Sequence, residues 1–211
     1  KRILLFLVEE RIMVFDEQIA NSIQYRRKSI QNNESLFVNE IEIESLYYYF
    51  YPELKTFIDY EDYELPEESL EVFNQKRKSG ENDDYVCQLI RNDSVKDFIN
   101  YIEANKISLL SEIKPSIYET NSFLLNENET TLVEYITFCG SIKIFKYFFR
   151  NKCYLFRTSI TKYAAYSYNK EIIQLLSNYY DENFYKNLIK AHHNNLFHIK
   201  KIFLDDCEEA I

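Results

Sequence analysis

The sequence predicts an all-α chain whose C-terminal part, residues 80–211, is an α-solenoid of helix-turn-helix repeats, and three observations lead there. Glycine and proline are scarce, 2 and 3 in 211 residues, against average usage of about 7% and 5%. Tight β-hairpins therefore have few residues to turn on. Apolar residues recur at helical spacing: Val133, Ile136 and Thr137 fall at i, i+3, i+4, and Ile142, Phe145 and Phe149 at i, i+3, i+7. The pattern then returns 28 residues later, where Glu134-Tyr135-Ile136-Thr137 lies over Lys162-Tyr163-Ala164-Ala165 and Ile144-Phe145 over Ile172-Ile173. A fixed period of this size signals units that must stack to bury their apolar faces.

Residues 1–79 read as a helical N-terminal region without the repeat. Ile3 to Phe15 is one apolar segment, and Ile19, Ile23 and Ile30 mark a second helix. Asn39 and Glu42 make a capping pair ahead of Ile43, Leu46, Tyr47 and Phe50 at i, i+3, i+4, i+7. Pro52 ends that helix or starts the next, which Leu54, Phe57 and Ile58 continue. Asp59 to Glu71 carries seven carboxylates. It reads as a solvated linker leading into the first turn of a helix that starts near Pro66 and is closed by Gly80.

In the repeat region Asp83 or Asp84 is expected to cap the first helix, with Ser94 opening its partner. Leu89-Ile-Arg-Asn-Asp-Ser94 followed by Val95, Phe98 and Tyr101 matches the Ile136 to Phe148 spacing 47 residues upstream, the excess being an insertion over 108–130. That insertion contains Pro115 and an apolar knot, Phe123-Leu124-Leu125, and exceeds an ordinary connector. Either the knot lies over the groove between neighbouring repeats, or the loop presents a recognition surface. Gly140 stops the helix over Thr131–Cys139, because it alone takes the left-handed conformation without a Cβ clash. A weaker copy sets Ala191, Ile199 and Phe203 over Ala164, Ile172 and Leu176, 27 residues on. The total is about four copies.

These residues resemble the ankyrin repeat. Thr131 stands at its opening Thr, Gly140 at its turn Gly, Ser141 at the following polar position, and Ala164-Ala165 at its small pair. The resemblance covers roughly 83–207 and has departures: Leu132 and Glu134 replace the usual Pro and His, Tyr168 replaces Gly140 in the next copy, and the copies are shorter than the usual ~33 residues. More narrowly, Glu81-Asn-Asp-Asp84, Leu89 to Ser94, Ser116 to Leu125, Gly140 to Phe145 and Ala191-His-His-Asn194 look like a divergent ankyrin-like family of unknown function, greatly expanded in parasitic protists. The short period leaves the connection Asn151 to Arg157 too brief for a full hairpin finger, so blunted fingers are expected. Recognition then falls on the inner helices.

Composition narrows the function. A net charge of −9 and a pI near 5.0 argue against nucleic acid or an anionic membrane as partner, since counterion release needs clustered cations. Only Arg26-Arg-Lys28 and Lys76-Arg-Lys78 form small basic patches. Cys87, Cys139, Cys153 and Cys207 show no C-x-x-C pairing, which fits reduced thiols and a cytoplasmic location. Ile3 to Val8 is too short for a signal or a membrane span. The chain opens at Lys1 rather than Met, so upstream residues are expected. The 19 Tyr and 16 Phe are explained by A/T-rich codons as well as by a binding surface.

No cofactor or metal is expected. His192, His193 and His198 are the only histidines, and adjacent residues on a helix point about 100° apart, which suits no ligand set. With two glycines no phosphate cradle can be built, and no catalytic motif is present. Enzyme activity is not expected. Tyr135 and Tyr163 recur at the repeat period, in a position that the ankyrin resemblance places on the concave side. Either they are half-buried structural rings or they bind a partner, and Phe138, Tyr166 and the more distant Lys190 belong to the same surface. The expected function is non-catalytic binding of another protein through that face. The alternative is a self-associating scaffold in which residues 1–60, with Tyr47-Tyr-Tyr-Phe50, pair two chains into a homo-oligomer.

Overall fold

The structure, a computed structural model, describes residue 4 and residues 13–31, 46–57, 68–127, 129–152 and 159–179. Among them the chain is all-α: ten helices and no strand, with one isolated antiparallel bridge between Glu112 and Thr131. No helix among the described residues is long and apolar enough to cross a membrane. The expectations for Asn39–Ile43, for Pro66, for the connection near Arg157 and for the copy at Ala191–Phe203 lie outside the described residues. Two compact units divide the chain: Lys1–Asp83 with Pro115–Asn128, and Asp84–Lys114 with Glu129–Ile211.

In the first unit, α1 (Glu17–Gln31) and α2 (Tyr51–Leu54, with Pro52 in its first turn) contribute to an aromatic core. Phe15, Ala20, Ile23, Tyr47, Tyr49, Phe50 and Leu54 are buried together, and the Phe15 and Phe50 rings stack at 5.7 Å. Three of the four rings at 47–50 thus serve the chain's own interior. α3 (Leu70–Ser79) begins at the Ser69 N-cap, whose hydroxyl accepts from Val72 N, and ends at Gly80 with φ 66°. Arg77, read from sequence as part of a basic patch, is instead only 3% exposed. Its guanidinium grips both carboxylate oxygens of Glu53 at 2.7 and 2.8 Å and donates to Tyr49 O, while Tyr49 Oη donates back to Arg77 O. Such a bidentate pair offsets the cost of burying charge by its geometry.

The segment 115–127 also belongs to this unit, and it closes on α3. The Tyr118 ring packs edge-on against Phe73, and Tyr118 Oη donates to Glu68. Glu68 pairs with Lys76, Lys76 with Asp83, and Asp83 accepts from Ser116 Oγ. Thr120 donates to Gly80 O through both its N and its Oγ1. The apolar knot is the short helix α6 (Ser122–Asn126), capped by Asn121, in which Leu124 is buried. It belongs to the first unit.

The described residues of the second unit form three helix pairs: α4 (Tyr85–Arg91) with α5 (Val95–Ala104), α7 (Leu132–Cys139) with α8 (Ile142–Lys152), and α9 (Ile160–Ser167) with α10 (Lys170–Tyr179). Between pairs, first helices pack on first helices, α4 on α7 and α7 on α9, and second on second, α5 on α8 and α8 on α10. Asp84 caps α4 by accepting from Val86 N. Thr131 and Glu134 form a capping box on α7, and Gly140 ends that helix at φ 68°. Residues 132 to 137 of α7 are all buried, as befits a helix flanked on two sides. On α8 the buried stripe is Ile144, Phe145 and Phe148, rather than the expected Ile142, Phe145 and Phe149. Phe148 meets Phe98 of α5 edge-on at 5.9 Å, so it is Phe148 rather than Phe149 that faces the neighbouring second helix.

The turns inside the three pairs are equivalent. Asp93, Gly140 and Tyr168 take φ 49°, 68° and 51°, at the intervals of 47 and 28 residues that relate the copies. Each turn is tied to its neighbour by a side chain. The Asp93 carboxylate accepts from Lys143 N and Ile144 N at the start of α8, Ser141 Oγ donates to Ile90 O, and Asn169 Nδ2 donates to Gly140 O.

Candidate functional site

The expected site residues divide sharply. Tyr135 and Tyr163 are 2% and 1% exposed, so of the two readings of these rings the structural one fits, with both buried rather than half-buried. Each hydroxyl has a neighbour in the fold: Tyr135 Oη accepts from Arg91 Nη1 at 2.9 Å, and Tyr163 Oη lies 3.2 Å from Thr130 Oγ1. The physical reason is the close packing of α7 on α9, where Ala164 and Ala165 are fully buried and allow neighbouring helices to approach. Burial pushes the Tyr135 phenol well above its ordinary pKa; the Cys139 and Cys87 thiols add to this and Arg91 opposes it. Tyr135 is held neutral. Lys190 lies outside the described residues.

Phe138 and Tyr166 are half-buried and in contact. The Phe138 ring stacks on Tyr135 at 6.2 Å and meets Tyr166 at 6.3 Å. Arg91, which sequence reading passed over, completes the row: it stands 47 residues before Phe138 as Phe138 stands 28 before Tyr166, it is half-exposed, and Tyr135 orients its guanidinium. The repeat offsets already contained that signal. The row therefore presents a guanidinium, a phenyl and a phenol, one from each first helix. Lys162 is half-exposed, four residues before Tyr166 and so on the same side of α9, with its ammonium 5.3 Å from the Tyr163 ring centroid.

The surface of the described residues also carries two polar depressions. One of about 260 Å³ is lined by Glu112, Glu129, Thr131, Glu134 and Ser159. The Glu134 carboxylate there is committed to the fold: Oε2 accepts from Thr131 N and Oγ1 at 2.9 and 2.7 Å, and Oε1 from Ser159 Oγ at 2.7 Å. The other, about 590 Å³ and broadly open, is bounded by Glu68, Lys76, Asp83, Ser116 and Tyr118. Burial, and then the Glu68 carboxylate, push the Tyr118 phenol up; for Lys76, burial lowers the pKa, but the bonds to Glu68 and Asp83 outweigh it and the net shift is upward. These groups satisfy one another. Among the described residues no three His, Cys, Asp or Glu side chains converge as a metal site would require. No protein-family model, no curated protein and no solved structure matches this chain.

Proposed function

We propose that the second unit is an ankyrin-like α-solenoid and that it is a non-catalytic protein-binding module, its partner lying across the first helices α4, α7 and α9. The contact pattern of first helix on first helix and second on second supports the architecture. The single observation that carries the function is the row Arg91, Phe138 and Tyr166, with one half-buried side chain per helix pair at the repeat offsets. Arginine and aromatic rings are the side chains that dominate binding energy at interfaces. The cytoplasm is the proposed location, on the reading of the cysteines as reduced thiols. Among the described residues, Cys87 and Cys139 form no disulfide.

The test is affinity capture with mass spectrometry, comparing the wild-type chain with Phe138→Ala plus Tyr166→Ala and with Tyr147→Ala on the second-helix side as control. The proposal expects a partner that the double variant loses and the control keeps. A partner retained by the folded double variant rejects the row. Self-association through 1–60 is the weaker reading, because Tyr47, Tyr49 and Phe50 are already buried in the chain's own core.

A further inference from the structure

We infer that a second copy of this chain docks on α8, setting the acidic segment 59–67 of one copy against the cationic side of α8 of the other. The surface lies on the second-helix side, apart from the binding face proposed above, and needs none of the rings at 47–50. Charge is segregated along the sequence. Residues 56–75 hold seven Asp and Glu and no Lys or Arg, whereas residues 135–170 hold seven Lys and Arg and no Asp or Glu. The net charge of −9 hides this division. The cationic run includes all of α8, on which Lys143, Lys146, Tyr147 and Arg150 fall at i, i+3, i+4, i+7 and so share one side of the helix. Lys143, Tyr147 and Arg150 are exposed and Lys146 is half-exposed, away from the buried Ile144, Phe145 and Phe148.

The carboxylates around this side leave part of it available. Glu171 of α10 pairs with Lys146, and the Asp93 carboxylate accepts from Lys143 N and Ile144 N. On the flanking second helices Asp97 and Glu103 stand with Lys96, and Glu171 with Lys170, so α8 is the cationic centre of the row. No ion pair among the described residues engages the Lys143 or Arg150 side chain. Seven residues of helix set those two about 10 Å apart along the axis. In an extended chain, carboxylates three residues apart have the same separation of about 10 Å, and Asp59 with Asp62, Glu61 with Glu64 and Glu64 with Glu67 have that spacing in sequence. Two copies related by a two-fold axis make the contact twice, and each contact raises the effective concentration for the other. A nucleic acid would meet the same cations, but three on one helix side release few counterions and the rest of the chain repels a polyanion.

The experiment is sedimentation equilibrium of the full chain across a concentration series, at about 20 mM and about 500 mM salt, between which the screening length shrinks about fivefold. The wild-type chain should pair at low salt and dissociate at high salt. Lys143→Glu plus Arg150→Glu should be monomeric in both, and so should the chain carrying Asp59→Lys, Glu61→Lys, Asp62→Lys and Glu64→Lys, each with helicity unchanged by circular dichroism. Mixed at low salt, the two variants should pair again, because each reversed surface then meets its complement. A wild-type chain that stays monomeric throughout, as docking within one chain would leave it, overturns the inference. Pairing that survives either reversal, or a mixture of the folded variants that stays monomeric, overturns it as well. Binding of an oligo-dT strand that displaces the pair and is lost with Lys143→Glu plus Arg150→Glu would give this surface to a polyanion instead.

Discussion

Asp93, Gly140 and Tyr168 share one backbone conformation but not one chemistry, and the left-handed region costs a residue with a Cβ roughly 1–2 kcal/mol. A Cβ built on Gly140 would meet Asn169 Nδ2 at 3.4 Å and Asn169 Cβ at 3.5 Å, close to ordinary contact, so the strain of Gly140→Ala is mainly conformational. That variant should lose about 1 kcal/mol in urea denaturation. Tyr168→Gly should do the reverse and gain about 0.5 kcal/mol, the relief of strain being partly offset by the freer unfolded chain. Arg77→Ala should cost about 3 kcal/mol, because Glu53 and Tyr49 O lose their donor inside a core. Gly140 was legible in the sequence because glycine announces a turn. Tyr168 was visible only as a departure, since nothing in a tyrosine signals φ 51°. Arg77 looked like surface charge because sequence gives a residue's type and not its partner 24 positions away.

At the scale of elements, caps reach across copies. Asp93 sits in one turn and caps the helix that follows the next, so Asp93→Ala should lose both a cap of about 1 kcal/mol and its left-handed tolerance, and Asp93→Gly only the first. The alanine variant should therefore unfold at lower urea than the glycine variant; the opposite order would remove the cap from the account. Alkaline pH tests the two buried phenols. Both Tyr118 and Tyr135 have folded-state pKa values raised above the unfolded value of about 10. The folded chain keeps protons that the unfolded chain has released. The stability they contribute is therefore complete below pH 10 and lost above it, at up to about 1.4 kcal/mol per pH unit for each phenol. Denaturant midpoints should fall between pH 10 and 11, and Tyr135→Phe should flatten the decline. Helix starts at Asp84 and Thr131 were readable from capping chemistry. The packing of 115–127 onto α3 was not, because a strap held by Tyr118, Glu68 and Gly80 leaves no periodic mark in sequence.

For the molecule as a whole, the proposed solenoid sets the helix pairs of the second unit in a row rather than in a closed bundle. The intervals of 47 and 28 found among apolar residues are those that separate the left-handed turns inside the three pairs. The same offsets said nothing of which ring in each copy would be covered. Tyr135 and Phe138 are three residues apart on one helix; the first is buried with its hydroxyl on Arg91 of α4, and the second is half-buried against Tyr166 of α9. Row and bundle differ in a distance. Lys96, Lys143 and Glu171 occupy equivalent exposed positions on α5, α8 and α10, so spin labels placed there in pairs on a cysteine-free chain report the arrangement directly. The account predicts about 10 Å between neighbouring helix pairs and nearly twice that between positions 96 and 171; three similar distances would contradict it.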